Sequence, residues 1–214
     1  ALVLPHTEIW LGGPEVSCEC ERLLYSLPAV RGVMKGEGEE TFCRLAAAYG
    51  EAERLGALLQ AESGIPGPSD ADLAAIPNLA FRRRHGGIFQ TPAGPPSDMG
   101  SFPFSYKQLG LENLEHRIIY YESSRGCPFS CSYCLSSVDK ALRFRPISLV
   151  KRELDWFLER KVPQVKFVDR TFNCKKSHAL AIWRHIQEHD NGVTNFHFEI
   201  AADLLDEEEM ELLE

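Results

Sequence analysis

The chain has 214 residues, 44% of them hydrophobic and 25% charged. That is an ordinary globular balance, which excludes disordered, collagen-like and fibrous classes. The net charge is −8, but residues 203–214 hold seven acidic groups and no basic one, leaving −1 for the remainder; this is neither a global acidic field nor the basic stripe that a nucleic-acid partner needs.

Length supports one to two domains. No apolar run approaches the ~20 residues of a membrane span, and no signal-peptide pattern opens the chain. The run Ala1-Leu2-Val3-Leu4 is already strand-like, and the chain stops at Glu214 inside a helical pattern, so a fragment of a longer protein is expected.

The first fifty residues alternate strand and helix. Glu8 to Leu11 reads as a strand ending at Gly12-Gly13-Pro14, followed by a helix from about Ser17 to Ser26. Val30 to Met34 is a second strand that runs into Gly36-Glu37-Gly38-Glu39, with a helix over about Glu40 to Tyr49. Strand, Gly-rich turn and helix in repetition predict a parallel, doubly wound sheet, whose ligands bind beyond the carboxyl ends of the strands. From about Ser63 to Tyr106 Pro and Gly become frequent. His85-Gly86-Gly87 between Arg82–Arg84 and Ile88–Gln90 suggests a small hairpin. The stretch reads as a linker with local structure and the basic triplet as a solvated turn.

From Arg117 the alternation returns. Ile118 to Glu122 is a strand leading into a cysteine loop; a helix runs from an N-cap at Ser148 to about Arg160, with Leu149, Val150, Leu154, Phe157 and Leu158 on its apolar side. Val165 to Val168, a helix over Ser177 to Glu188, and a strand over Asn195 to Ile200 follow. Asp206 with Glu209 then forms a capping-box pattern that opens an acidic helix. These are three successive β-α units.

Seven cysteines without a secretory signal argue against a disulfide framework. Three of them, Cys127, Cys131 and Cys134, fall within eight residues; in a reducing cytosol, the setting expected here, such a cluster is a metal site rather than a bridge. The spacing is C-x3-C-x2-C, with Tyr133 just before the last cysteine and Gly126 just before the first. A structural zinc site wants four closed ligands, whereas three thiolates can hold three irons of a 4Fe–4S cube and leave the fourth open. Cys18, Cys20 and Cys43 read as ordinary buried or half-buried thiols, while Cys174 follows the second strand of this half. His178, His185 and His189 share one helix, and without a carboxylate or cysteine completing a site they read as surface histidines.

This cysteine loop resembles the signature of the radical S-adenosylmethionine (radical SAM) superfamily, C-x3-C-x-aromatic-C after the first strand of a partial (β/α)6 barrel. The resemblance implies that Cys127, Cys131 and Cys134 ligate a 4Fe–4S cluster, that the open iron chelates SAM, and that Tyr133 packs near the adenine. It also implies an electron donor such as flavodoxin or ferredoxin. The family's Gly-Gly-Glu motif at the end of the second strand is absent; Asp169 stands at the equivalent place as a candidate partner of the SAM ammonium, with an ion pair to Arg170 as the alternative. Glu199, on the third strand with His197, is a candidate near SAM.

Leu11 to Ser17 and then Gly36-Glu37-Gly38-Glu39 resemble the rear of the cobalamin-binding domain that precedes the barrel in one large radical SAM subgroup. That resemblance implies that Gly12, Gly13, Gly36, Glu37, Gly38 and Glu39 lie along the nucleotide tail of cobalamin, glycine allowing close backbone approach and helix N-termini favouring phosphate. The D-x-H-x-x-G pattern of many cobalamin domains is absent from these residues. The expected α/β organisation is therefore the rear part of a doubly wound, Rossmann-like cobalamin domain (1–62), a linker with a local hairpin (63–116) and the first half of the radical SAM barrel (117–214). The implied activity is radical methylation of an unknown small-molecule or peptide substrate, through a 5′-deoxyadenosyl radical. Radical rearrangement or ring formation, a non-catalytic iron–sulfur protein and a zinc-binding module are the alternatives.

Overall fold

The computed structural model describes residues 7–58, 67–108, 117–137 and 139–214. The apolar opening run 1–4 and parts of the expected linker (63–66 and 109–116) lie outside them. The chain forms two compact units, 1–97 and 98–214. Among the described residues no helix is long and apolar enough to cross a membrane.

In the first unit β1 (Ile9–Gly12) is followed by the short helices α1 (Pro14–Ser17) and α2 (Cys20–Ser26), then β2 (Val30–Met34), which pairs parallel to β1. After it come α3 (Glu39–Leu58), α4 (Asp70–Ala74) and the hairpin β3 (Leu79–Arg82) and β4 (Ile88–Gln90). The sheet order is β1-β2-β3-β4, with β2–β3 and β3–β4 antiparallel. Both faces are covered. Cys20 and Leu24 of α2 meet Val30, Val33 and Ala80 on one side; Leu45 of α3 and Leu73 of α4 meet Leu79 and Phe81 on the other.

Two expectations are corrected here. The doubly wound layering is present, but the sheet is mixed rather than parallel. The hairpin is part of this sheet and not of a linker. The apolar run Leu79-Ala80-Phe81 is fully buried and pairs with Gly32, Val33 and Met34, burial that outweighs the loop-like composition around it. Gly86 and Gly87 turn the hairpin with φ of 95° and 79°. The basic triplet serves the same unit: Arg82 donates to the Leu24 carbonyl, Arg83 lies over the Phe89 ring, and Arg84 N–H donates to Asp70. Gly32 marks a close approach, since a Cβ there would stand 2.3 Å from the Trp10 ring.

In the second unit α5 (Ser105–Gln108) precedes β5 (Ile118–Tyr121), then the two-residue strands β6 (Ser124–Arg125) and β7 (Arg143–Phe144), α6 (Ile147–Glu159), β8 (Gln164–Phe167), α7 (Lys176–Glu188), β9 (Asn195–His197) and α8 (Glu207–Leu213). β5, β8 and β9 form a parallel sheet in that order, with Tyr121 opposite Phe167 and Lys166 opposite His197. This is the three-unit β-α alternation read from the sequence. Ile119, Tyr121, Val165 and Phe167 point to the helices and pack with Leu154, Phe157, Ile182 and Trp183.

Details depart from the reading. Pro146, not Ser148, is the N-cap of α6. β9 stops at His197, because the backbone of Glu199 instead accepts a hydrogen bond from Phe172 N–H at 2.9 Å. The Asp206–Glu209 capping box is present, and Asp206 and Glu208 also pair with Lys176 of α7. His178 and His185 are buried, not on the surface, because the face of α7 that carries them packs inward.

One buried ion pair ties the entry of α6 to the segment before β5. Arg145 Nε and Nη2 reach the two carboxylate oxygens of Glu153 at 2.8 and 2.5 Å. The same guanidinium donates to the carbonyls of Met99 and Phe102 at 2.5 and 3.0 Å, and Tyr121 Oη donates to Glu153 at 2.6 Å. Both side chains are buried, so removing one leaves an uncompensated charge. Glu153→Ala is expected to cost about 3–5 kcal/mol, read as a lower denaturant midpoint at unchanged slope; a loss below about 1 kcal/mol would mean that water or the two carbonyls suffice for Arg145.

Candidate iron–sulfur and cobalamin sites

The cysteine loop is a closed excursion. It leaves the sheet after β5, passes through β6, and returns through β7, which pairs antiparallel with β6: Ser124 opposite Phe144 and Arg125 opposite Arg143. Arg145 N–H donates to the Ser123 carbonyl and Cys127 N–H to the Asp139 carbonyl, at 2.8 and 3.0 Å. Gly126 has φ 95°, and a Cβ on it would stand 2.7 Å from the Ala141 carbonyl oxygen. Only glycine lets the two sides of the loop close this tightly.

The loop is bolted to the carboxyl end of β8 by Asp169, 1% exposed. Its Oδ2 accepts from Ser123 N–H at 3.1 Å, and its Oδ1 accepts from the hydroxyls of Ser123, at 2.9 Å, and Ser124. Burial pushes this carboxyl upward against the opposing effect of those donors. His178 Nε2 lies 3.1 Å from Ser123 Oγ. Burial, followed by the Lys175 charge, pushes His178 down to about 4, so the neutral ring donates to Ser123, which donates to Asp169. Thr171 Oγ1 is 3.7 Å from Cys127 Sγ.

Cys127, Cys131 and Cys134 are all free thiols, buried, exposed and half-exposed in turn. The backbone N–H of Ser136 and its hydroxyl, with Ser137 N–H and the Arg170 charge, lower the Cys134 thiol, favouring the thiolate that a metal needs. The donor set suits an iron–sulfur cluster: soft ligands on an open, rigidly based loop. Cys174 is half-buried; burial, then the charges of Asp169 and Cys127, raises its thiol. Cys20 is buried as expected, whereas Cys18 and Cys43 are exposed.

The other expected residues lie around this loop in different ways. Tyr133 is 92% exposed. Glu199 is exposed and pairs with Lys166 at 3.2 Å. The alternation read from the sequence holds, in that Phe196 and Phe198 pack on the core while Lys166, His197 and Glu199 share the open face of the sheet with Ile118 and Tyr120. Asp169 faces neither an open site nor Arg170 but the two serines. Ser123, Ser124 and Thr171 were not singled out in the sequence; the serine pair directly after a strand was the one local signal.

In the first unit the two glycine turns follow the adjacent ends of β1 and β2. Ser17 joins them: its hydroxyl donates to the Gly13 carbonyl at 2.7 Å and accepts from Gly36 N–H at 3.2 Å. Gly13 and Gly36 have φ of 104° and 66°, and no atom of the described residues lies within 4 Å of a Cβ built on Gly13, Gly36 or Gly38. Among the described residues, none fills the space above the turns. Gly12 is ordinary, with Met34 in van der Waals contact. Glu37 accepts from Ser97 N–H at 2.8 Å, and Glu39 opens α3. The helix after the first turn is one turn long, so only α3 offers the extended helix start that favours phosphate.

No family model matches the chain. It is 28% identical over 181 residues to an uncharacterized methyltransferase of Pyrococcus horikoshii, covering 83% of this chain and 36% of that protein. It is 26% identical to the cobalamin-dependent radical SAM methyltransferase TokK of Streptomyces tokunonensis, covering 83% of this chain and 26% of that protein. In sequence the chain therefore resembles the cobalamin-dependent radical SAM methyltransferases. In fold it is similar to the radical SAM methyltransferase TsrM of Kitasatospora setae. A TsrM structure with tryptophan and a SAM analogue aligns at TM-score 0.66 and 20% identity, over 96% of this chain and 39% of that one. Another, with cobalamin and a [4Fe-4S] cluster, aligns at TM-score 0.64 and 21% identity, over 96% and 40%. The chain thus spans between 26% and 36% of the length of these two curated relatives, TokK and the Pyrococcus horikoshii protein.

The His178 network makes a pH prediction. Below its unfolded value of 6.5 the unfolded chain binds a proton that the folded chain refuses until about 4, so stability falls as pH drops through that window. Melting temperatures between pH 6.5 and 4 should fall more steeply for the parent than for His178→Gln, which keeps an amide donor to Ser123. Parallel curves would mean that His178 is not the group that titrates.

Proposed function

We propose that this chain holds the cofactor-binding parts of a cobalamin-dependent radical SAM methyltransferase. One observation carries the reading: a loop clasped by β6 and β7 and pinned by Asp169 presents Cys127, Cys131 and Cys134 as free thiols beside the carboxyl ends of β5 and β8. Bound there, a 4Fe–4S cluster supplies the electron that cleaves SAM, and cobalamin supplies a methyl carrier that the adenosyl radical lacks. The residues bind and orient. The three cysteines hold the cluster, with Arg170 and the Ser136 and Ser137 N–H groups favouring the thiolate of Cys134. The exposed ring of Tyr133 offers a face for the adenine, and Glu199 a carboxylate on the open face of the sheet for SAM. Asp169, engaged by Ser123 and Ser124, positions the loop rather than receiving the SAM ammonium.

Gly13, Gly36 and Gly38, with the space above each unfilled by any described residue, and Gly12, Glu37 and Glu39 beside them, form the cradle for the cobalamin tail. An electron donor such as a flavodoxin or ferredoxin completes the system. The expected substrate class is a small molecule or peptide with an unactivated carbon.

Anaerobically reconstituted protein should be brown and carry about four irons per chain. Replacing Cys127, Cys131 and Cys134 together by Ala should abolish both the iron and the visible absorbance; retention of either would overturn the cluster assignment. Hydroxocobalamin titration of the complete protein should show binding that Gly13→Val weakens at least about tenfold, since a branched side chain is strained at positive φ and fills the cradle. Unchanged cobalamin affinity in Gly13→Val would remove the turns from the site, and absence of binding would remove the methylation reading.

A further inference from the structure

The end of the second unit remote from the cysteine loop carries a separate donor cluster. Asp155 stands on α6, His185 in the last turn of α7, and His189 is the C-cap of α7. Both helices run back to the amino ends of β8 and β9, whereas the cysteine loop lies at the carboxyl ends. One ligand atom from each of the three residues lies within 4.8 Å of the other two. His185 and His189 are one helical turn apart and so share a face; their rings are 4.2 Å apart.

The hydrogen bonds assign the free atom of His189. Its Nδ1 lies 2.8 Å from the His185 carbonyl oxygen. A carbonyl only accepts, so Nδ1 carries the proton and Nε2 keeps its lone pair. A histidine that donates one ring nitrogen to a backbone carbonyl is held in the orientation and tautomer that metal-bound histidines adopt. His185 Nε2 lies 2.7 Å from Asp155 Oδ1, so carboxylate and imidazole already face each other across one proton. Burial is graded: the His185 side chain is 7% exposed, that of Asp155 40%, and His189 is exposed. The cluster therefore opens outward, where Leu158, Glu159 and Asn191 line a shallow depression. The C-terminal end of α7 adds the partial negative charge that favours a cation.

We propose that Asp155, His185 and His189 form a divalent metal site of the zinc class that clamps α6 to α7, with the outward position left to water. Two imidazoles and one carboxylate, with no thiolate, suit zinc and its transition-metal neighbours better than magnesium or calcium. Ligand atoms about 2.1 Å from a tetrahedral ion stand roughly 3.4 Å apart, so the metal displaces the proton between His185 and Asp155, and Asp155 withdraws by several tenths of an ångström. Its half-exposed side chain has room to do so. The role is structural, since these residues lie away from the cysteines.

Co2+ and Zn2+ titrations of the whole chain, freed of metal by chelator, test this. The expected result is one Co2+ per chain with the visible bands of nitrogen and oxygen ligation, distinct from any thiolate-bound Co2+ with its sulfur-to-cobalt charge transfer. Zn2+ should compete for the same site and raise the melting temperature. His189→Ala and Asp155→Asn both change partly exposed side chains and avoid the buried His185; each should weaken Co2+ binding at least about tenfold. Equal affinity in both variants, or Co2+ bound through thiolates alone, overturns the proposal.

Discussion

A carboxylate taken out of water has to find donors, and in the second unit that requirement organises the cysteine loop. Asp169 leaves the carboxyl end of β8 almost fully buried. It takes one backbone N–H and two hydroxyls from Ser123 and Ser124. Those serines begin the excursion that carries Cys127, Cys131 and Cys134. Because burying the carboxylate without these donors would be costly, the start of the loop cannot drift from the end of β8. The β6–β7 ladder, the Arg145–Ser123 backbone bond and the glycine at position 126 then close the loop on itself. The segment thus acquires a rigid base, with Cys127 buried against it while Cys131 and Cys134 stay accessible.

The first unit solves a related problem with a hydroxyl. Two glycine turns at the ends of neighbouring parallel strands are free to diverge; Ser17 holds them by accepting from one and donating to the other. Positive φ at Gly13 and Gly36 lifts the backbone without filling the space above it. Trp10 fixes the sheet beneath: its ring lies over Gly32, and its indole N–H donates to Tyr49 of α3 at 2.8 Å.

Strand alternation divides labour within the three-stranded sheet. Tyr121, Phe167, Phe196 and Phe198 turn to the helices and join an aromatic core, with Phe167 and Phe198 centroids 4.6 Å apart. The opposite face keeps Tyr120, Lys166, His197 and Glu199 open. Burial of one face by α6 and α7 is what leaves the other available for chemistry.

Much of this was legible in the chain itself. The C-x3-C-x2-C spacing, the aromatic before its last cysteine, the glycine turns after two short strands and the β-α alternation from residue 117 are local patterns, set by neighbours in sequence and by helix and strand periodicity. They gave the α/β class and the three-unit order, and they single out the three candidate cluster ligands. What depended on distant partners was not legible. The pairing of Leu79–Arg82 with β2 was hidden by the Pro- and Gly-rich surroundings. Asp169, read as open to a ligand, is spent on two serines 45 and 46 residues earlier. His185, read as a surface residue, meets Asp155 from another helix. Spacing along the chain records which donors lie on one element, whereas a buried side chain's partner is chosen by how elements pack, and that is decided only when the sheet and helices come together.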